Sequence, residues 1–374
     1  SRLNITHICN DYSRQALYKN LFKSLSNFSI SQYVYVPVRT KEEVGKYLDA
    51  SFNVFQSFIL NFSDKIFFRK KINKLFKDFV SNHEKLQSIS LIHAHFLYSD
   101  GALALKIKKE LNIKYIVAVR NTDINYFFKL RPDLYFLMLE ILKEAERVIF
   151  LNHGYKSRLL ELLNYKNRVA LEKKLEVIPN GIGDKWLTPF QQIYKYSKKI
   201  KLIYVGDFTK NKNVIPLIHS AEKISSMGFN VSLKLAGGGG DQHKQVIRLI
   251  ESKSRLCEFM GRLNITDLQD LYRKSDILVV PSKYETFGMV FIEALSQGCQ
   301  VIYKEGEAIS GFLKDNSIAI GLERINVNTI ANAIVKLHKS DKSKKKCTAA
   351  ANQFSLSKLS NQYIKLYSDI ADKE

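Results

Sequence analysis

The chain has little cysteine and no long apolar run. Its four cysteines are scattered over 374 residues without a C-x-x-C pair. Their scarcity argues against a disulfide framework, and it fits a reducing cytoplasm in which the thiols are buried as small hydrophobes. No run of about 18 uncharged apolar residues occurs, which argues against a membrane-spanning helix. The opening segment, residues 1–9, lacks the apolar core and cleavage site of a signal peptide and predicts a first strand.

Acidic residues are also under-represented. Lysine and arginine number 58 against 36 aspartates and glutamates, a net charge of +22. Nucleic acid or an anionic membrane would suit such a surface. Zinc spacing, an aromatic platform and a tandem basic region are all missing, so nucleic acid is not the expected partner. The charge is spread along the chain and includes the basic runs 68–77, 106–109, 194–199 and 342–347.

One basic stretch has a second property. In residues 66–80 apolar side chains recur at helical spacing between lysines. This pattern predicts either an interfacial amphipathic helix lying on a membrane or a core-packed helix with a basic outer face. The spacing alone leaves both alternatives open.

Strand and helix patterns alternate throughout the chain, which predicts an α/β fold with parallel sheets. The length suffices for two domains, and the turn-rich segment 177–183 marks the boundary between them. We therefore predict domains at 1–182 and 183–352, and a final helix at 353–374. Strands are predicted at 3–8, 32–36, 91–94, 115–119, 148–151, 201–205, 232–236, 257–260, 277–280 and 300–303. Helices are predicted at 13–25, 99–111, 134–145, 214–227, 241–252, 265–274, 289–297 and 325–338.

The segment 276–298 is the most informative for function. A buried strand at 277–280 ends at a proline, and a helix follows between two glycines, Gly288 and Gly298. Strand, loop and helix N-terminus place Glu285 and the amides around Gly288 at the carboxyl edge of a sheet, where such folds bind ligands. Free amides favour a phosphate, and Glu293 could point into the same crevice. Two carboxylates beside a phosphate site would fit a nucleotide sugar, whereas each glutamate taken alone is more often a solvated charge on a helix face.

Three further loops follow predicted strands. Lys212, in the loop 206–213, is either a phosphate-binding lysine or an exposed turn lysine. The glycine run 237–240 permits close backbone approach to a ligand, or is a flexible turn. In the first half, His93 and His95 form a metal-like pair, but we find no third ligand at a sensible spacing.

In its order of elements the segment 276–298 resembles the E-x(7)-E signature of retaining glycosyltransferases of the GT-B fold, family four in particular. Gly206 and Lys212 then match the family's G-R-x-x-x-x-K diphosphate loop. Asp207 replaces the arginine, so Lys210 or another basic residue would have to substitute, or donor binding differs here. The resemblance also assigns donor contacts to a wider set: Arg262 and Leu263 near the base, Phe287, Gly288, Met289 and Val290 around the phosphate, and Glu293 on the ribose.

The first half resembles the family less closely. Residues 92–96 match its H-A-H-F strand end. Residues 120–123 match its H-G-T-D loop, with Arg120 in place of the histidine and Asp123 retained. Arg120 would face the donor phosphate or sugar, and Asp123 would cap the loop or contact the sugar. The usual glycine-rich loop after the first strand is absent, because residues 9–15 read Cys-Asn-Asp-Tyr-Ser-Arg-Gln.

The resemblance implies two Rossmann-like domains facing a cleft, with the final helix crossing back to the first domain. It implies transfer of a sugar from a nucleotide sugar, UDP-linked in the first instance, to a glycan or polyprenyl-linked glycan in capsule or lipopolysaccharide synthesis. Glu285, Lys212, Arg120 and Asp123 would be the catalytic residues, without metal or cofactor. The expected location is the cytoplasm, with peripheral attachment to the membrane's inner face as an option. The alternatives are a sugar-nucleotide epimerase and a basic nucleic-acid-binding protein.

Overall fold

The computed structural model describes residues 2–83, 86–188, 198–340 and 343–372. Residues 194–197 and 342 of the basic runs lie outside this range. The described chain forms two compact units. The first unit contains the residues up to Leu151, then Tyr155–Gly181, and those from Leu356 onward. The second contains Asn152–Gly154 and the described residues between Ile182 and Ser355.

Each unit is built on a parallel sheet, as the alternating pattern predicted. The first sheet has the order β3-β2-β1-β4-β5-β6-β7 and the second β10-β9-β8-β11-β12-β13. The strands are β1 Leu3–Ile8, β2 Ile30–Val38, β3 Asn53–Phe58, β4 Leu91–Ala94, β5 Tyr115–Val119, β6 Arg147–Phe150, β7 Leu175–Val177, β8 Ile200–Gly206, β9 Val231–Gly237, β10 Cys257–Gly261, β11 Ile277–Val279, β12 Gln300–Lys304 and β13 Ala319–Leu322.

Both sheets reverse their strand order at one point. In the first unit the reversal lies between β1 and β4, and in the second between β8 and β11. At such a switch point the connections leave to opposite faces of the sheet, so a crevice opens at the carboxyl ends of the two strands. The topology therefore designates the loops after these four strands as the places for ligands.

Helices cover the sheets. They are α1 Ala16–Leu25, α2 Phe68–Asn82, α3 Ser99–Leu111, α4 Phe128–Leu130, α5 Tyr135–Glu144, α6 His153–Leu162, α7 Tyr165–Glu172, α8 Asp184–Leu187, α9 Val214–Ser226, α10 His243–Ser252, α11 Ile265–Arg273, α12 Met289–Ser296, α13 Val327–Lys339, α14 Lys344–Ala351 and α15 Leu356–Ala371. None of the described helices combines the length and apolar composition needed to cross a bilayer.

The last helix, α15, belongs to the first unit. It packs on α1, β1 and β4, and the Tyr367 hydroxyl lies 2.7 Å from His93 Nδ1. Its inward side chains are part of the core of that unit, so removing the helix would expose a continuous apolar surface. These side chains are Leu359, Tyr363, Leu366, Tyr367 and Ile370.

The structure decides between the two interpretations of residues 66–80. Helix α2 begins at Phe68, and Phe68, Ile72 and Phe79 lie in the core of the first unit. The core-packed alternative is therefore right for the helix itself. Ile66 and Phe67, however, precede the helix and are 69% and 53% exposed.

The predicted strands were found within a few residues, and three others were missed. The missed strands are β3, β7 and β13, and all three are outermost in their sheets. An outer strand is covered on fewer sides and needs no continuous apolar run, so its sequence carries a weaker signal. The four cysteines are buried with free thiols, as predicted.

Candidate functional site

The two loops at the switch point of the second unit are joined by hydrogen bonds. Asn211, which follows β8, donates from Nδ2 to the carbonyl of Tyr284 at 3.0 Å and accepts from the Tyr284 amide at 3.1 Å. Asn213 donates to the Pro281 carbonyl at 2.9 Å. A side-chain amide can bond one backbone N–H and one C=O at once, so Asn211 makes the two hydrogen bonds that a neighbouring strand would otherwise make with Tyr284. The loops therefore form one rigid edge.

Lys212 and Glu285 meet on that edge. Lys212 Nζ lies 2.5 Å from Glu285 Oε2, and the two side chains keep 24% and 18% of their surface exposed. The sequence predicted both residues for one site, and the structure brings them into direct contact. Because the pair remains accessible, a ligand with an anionic group and hydroxyls could engage the ammonium and the carboxylate separately.

The backbone of Glu285 is also held in place by two hydrogen bonds. Its amide donates to Glu307 Oε2 at 2.8 Å, and its carbonyl accepts from the Ala308 amide at 2.9 Å. Glu307 is buried. The main chain of Glu285 is thus fixed on both sides, which leaves its carboxylate as the movable part.

Gly288 makes the turn into α12 at φ +70°, in the left-handed region. A Cβ there would lie 2.6 Å from the Phe291 ring and 3.1 Å from Glu285 Cγ, so glycine is required. No side chain caps α12, and Met289 and Val290 are half-buried while Phe287 is buried. The first turn of the helix thus begins beside Glu285 without a side-chain cap from Gly288, and its free amides would favour an anion there.

Glu293 lies further along α12 and is largely buried. Burial raises its pKa to about 7, a shift opposed by the Tyr272 hydroxyl, which lies 3.5 Å from Oε2. Near neutral pH the carboxyl is therefore shared between its protonated and ionised forms. A hydrogen-bonding ligand such as a diol would stabilise the ionised form.

The glycine run 237–240 serves the protein's own backbone. A Cβ on Gly237 would lie 2.3 Å from the Gly206 carbonyl oxygen, and one on Gly240 would lie 2.7 Å from that of Phe208. The Phe208 amide in turn donates to the Gly239 carbonyl at 2.8 Å. The run thus lets the loop after β9 pack against the loop after β8, which neither sequence interpretation anticipated.

Arg262 approaches the position where the family's arginine is missing. Its Nη2 lies 3.7 Å from Asp207 Oδ1, and both side chains are mostly exposed. An exposed pair of this kind contributes little to stability. Leu263, the next residue, is half-buried.

The predicted residues Gly206, Lys212, Arg262, Glu285 and Glu293 therefore all belong to the second unit, on the loops and helices that surround its switch point.

Arg120 and Asp123 belong to the first unit, and both are buried. Asp123 Oδ2 accepts from the amides of Arg120 and Leu97 at 2.8 and 3.1 Å. Burial raises the pKa of Asp123 to about 6 against these amide hydrogen bonds. Arg120 donates from Nε to the His95 carbonyl at 3.0 Å. Of the two roles left open for Asp123, loop capping is the one that these contacts display.

The histidine pair gains a third member that sequence reasoning did not find. His7 on β1 pairs in register with His93, and nitrogens of His7, His93 and His95 lie within 4.8 Å of one another. Burial lowers the pKa of all three rings, that of His7 to about 3. The neutral rings hydrogen-bond: His7 to Gln32 and His95, and His93 to Tyr367. The group contains no carboxylate, and Arg120 acts on it as a nearby positive charge.

Three residues of the second unit escaped the sequence analysis: Asn211, Asn213 and Glu307. Each acts by hydrogen-bonding to backbone of a different loop, a contact that has no local pattern. The only signal was the asparagine-rich composition of residues 206–213, which is typical of turns.

Comparison with known proteins covers most of the chain. The model of the glycosyl transferases group 1 family matches residues 188–354, and that of glycosyltransferase family 4 matches residues 34–185. An uncharacterized glycosyltransferase of Methanocaldococcus jannaschii is 26% identical over 72% of this chain and 71% of its own. O-antigen chain mannosyltransferase B of Escherichia coli is 24% identical over 61% of this chain and 62% of its own. The Anabaena protein HepE, solved with UDP-glucose, superimposes with a TM-score of 0.68 at 13% identity over 98% of this chain and all of the other.

Two parallel-sheet, Rossmann-like units of this topology are those of the GT-B fold. The chain belongs to glycosyltransferase family 4, with the group 1 family model on its second half. The family and the fold that the sequence resemblance predicted are thereby confirmed.

Proposed function

We propose that the protein is a retaining, metal-independent hexosyltransferase that uses a nucleotide sugar, UDP-linked in the first instance. The observation that carries the proposal is the accessible Lys212–Glu285 pair, with Glu285 next to the glycine that begins α12. A lysine and helix amides suit a diphosphate, while a carboxylate suits sugar hydroxyls. The UDP-glucose complex of HepE, which shares the fold, supports the choice of donor.

In this proposal the ion pair between Lys212 and Glu285 separates when the donor binds. The Lys212 ammonium turns to the diphosphate, and the released Glu285 carboxylate orients the sugar. The bond between the anomeric carbon and the phosphate oxygen breaks, and a bond from the acceptor hydroxyl forms on the same face. The hydroxyl proton passes to a phosphate oxygen of the leaving diphosphate, whose negative charge Lys212 and the helix amides stabilise. Glu293 would hold the ribose, and Arg120 would assist at the diphosphate.

We further propose a glycan or lipid-linked glycan as acceptor, in the synthesis of a surface polysaccharide at the cytoplasmic face of a membrane. The O-antigen mannosyltransferase among the relatives supports this class of acceptor. The strongly basic composition supports an anionic surface as the place of action.

Nucleotide binding provides the first test. The unfolding temperature would be measured with UDP, GDP, ADP and CMP, because a ligand that binds only the folded state raises it. UDP is expected to stabilise the wild-type protein and the Lys336→Ala control, which removes an exposed lysine of α13, and to stabilise Lys212→Ala much less. If none of the four nucleotides stabilises the protein, the donor assignment is wrong.

Transfer itself would be followed by NMR with a UDP-sugar and a mixture of glycan acceptors. Retention requires that the product keep the anomeric configuration of the donor. Inversion would refute the stereochemical part of the proposal, and conversion of the UDP-sugar without an acceptor would indicate an epimerase.

A further inference from the structure

We propose that the first unit carries a docking surface for an anionic lipid bilayer, formed where the turn before α2, together with the first residues of α2, meets α3 and the start of α5. Side chains from these three segments line an open groove of about 900 Å3. This inference builds on the proposed function, in which the acceptor lies at a membrane. We call this surface the basic groove and define it by Ile66, Phe67, Arg69, Lys70, Lys106 and Phe136.

The apolar members of the basic groove project outward. Ile66, Phe67 and Phe136 are 69%, 53% and 81% exposed. Large apolar side chains that share one groove and remain this exposed are uncommon on soluble proteins, where they mark a surface that is covered in use.

Their exposure is imposed by an ordered backbone. The amides of Ile66 and Phe67 both donate to the Ser63 carbonyl, at 3.0 and 3.1 Å. The next residue, Phe68, turns inward and is 5% exposed. The chain thus buries Phe68 while it holds Ile66 and Phe67 outside, so these two side chains cannot collapse onto the core without breaking the turn.

Cations surround the apolar side chains. Among the described residues, Arg69 and Lys70 have no carboxylate within ion-pair distance, whereas Lys106, Lys109 and Arg131 are paired with Glu110, Glu140 and Asp133. Lys70 Nζ lies 5.2 Å from the centre of the Phe67 ring. The two uncompensated charges therefore stand directly beside the outward apolar side chains.

This combination fits a bilayer better than a protein. Lysine is depleted in protein interfaces, because its long, strongly hydrated side chain is costly to immobilise. At a membrane the aliphatic stem stays with the apolar side chains while the ammonium reaches the phosphates, and each basic residue adds to the attraction of an anionic leaflet. The net charge of +22 acts in the same direction at longer range.

Vesicle flotation of the full chain tests the proposal, with phosphatidylcholine vesicles compared with vesicles that also contain phosphatidylglycerol. The wild type is expected to float with the anionic vesicles at low salt and to be released at high salt. Ile66→Ser/Phe67→Ser should reduce the partition coefficient by roughly tenfold, because the apolar anchor is lost. Arg69→Glu/Lys70→Glu should reduce it by at least a similar factor of about ten, because attraction becomes repulsion.

Each double variant has a matched control in the same unit. Tyr165 and Val169 of α7 are 81% and 53% exposed, so Tyr165→Ser/Val169→Ser removes equally exposed apolar side chains elsewhere. Lys166→Glu/Lys173→Glu changes the net charge by the same amount at exposed positions. Both controls should float like the wild type. Equal loss in the controls, or no loss in the groove variants, would overturn the proposal.

A second measurement does not require polar residues to be introduced into the basic groove. Phe67→Trp, in a Trp186→Phe background, should be quenched by brominated anionic lipids, whereas Tyr165→Trp should not. Equal quenching at both positions would contradict the assignment of the surface. UDP stabilisation measured on the same preparations separates the two proposals. Flotation without UDP binding would refute the proposed donor but not the proposed docking surface. UDP binding without flotation would refute the docking surface but not the donor.

Discussion

The two switch points share a topology but treat their polar side chains differently. In the second unit Lys212 and Glu285 bind each other at an accessible edge, and their loops are fixed by other residues, Asn211 and Glu307. In the first unit a functional candidate itself holds the loops in place, since Asp123 accepts hydrogen bonds from the backbone amides of Arg120 and Leu97. The second edge thus keeps its reactive groups available for a ligand. Substitutions there should affect activity first, and those in the first unit should affect folding as well.

The largest expected effect is on transfer by Lys212→Ala and Glu285→Ala. Removing a group that stabilises developing charge should lower the turnover number by about 100- to 1,000-fold. The unfolding free energy should change by less than about 1 kcal/mol, because the pair is partly exposed. Turnover assays and urea denaturation check both parts, with Lys336→Ala, at an exposed position of α13, as the control. Near wild-type turnover in either variant would remove that residue from the site.

A large effect on stability is expected for Glu293→Gln. The folded state holds the Glu293 proton more tightly than the unfolded state, since burial raises its pKa from 4.5 to about 7. The ionising carboxyl therefore destabilises the fold as pH rises through this window. Glutamine cannot ionise, so the variant should gain up to about 3 kcal/mol over the wild type above neutral pH, and nothing near pH 4.

Urea denaturation at several pH values measures this difference. Glu251→Gln, at an exposed position of the same unit, is the control and should show no comparable pH dependence. A constant difference between Glu293→Gln and the wild type at all pH values would contradict the shifted pKa.

A smaller effect on stability is expected for Asn211→Ala. It removes two hydrogen bonds, to the amide and to the carbonyl of Tyr284, which should cost about 1 to 3 kcal/mol. It should also weaken UDP binding, because the loops that carry Lys212 and Glu285 come apart. Asn211→Asp keeps the hydrogen-bond acceptor but not the donor, so its stability should lie between that of Asn211→Ala and that of the wild type. Thermal unfolding with and without UDP is the measurement, and unchanged UDP affinity would show that the joined loops are not needed.

The smallest expected effect is a gain. Asp207→Arg restores the family's cation at an exposed position, and it should tighten UDP binding by about three- to tenfold through a charge-assisted contact. Isothermal titration calorimetry measures the affinity, and Glu251→Arg controls for net charge. Unchanged affinity would indicate that Arg262, near Asp207, already supplies the charge.

The sequence predicted those parts of the molecule that depend on local pattern. Central strands such as β8 and β11 are short apolar runs, and the loops after them hold Lys212 and Glu285, so fold and site could be predicted together. Contacts that depend on the tertiary fold could not be foreseen. His7 and His93 are 86 residues apart in sequence and become neighbours only through strand pairing. Glu307 is an ordinary acidic residue until the fold buries it behind Glu285.

The return of α15 to the first unit has a consequence for the order of folding during synthesis. Domains commonly fold from the N-terminus as they leave the ribosome. Here the second unit ends at Ser355, whereas the first needs residues from Leu356 onward to cover its histidines and close its core. The first unit therefore cannot complete its core until α15 has been synthesised, whereas the second unit can fold before that point. The exposed core of the first unit would be the part of the nascent chain most in need of a chaperone.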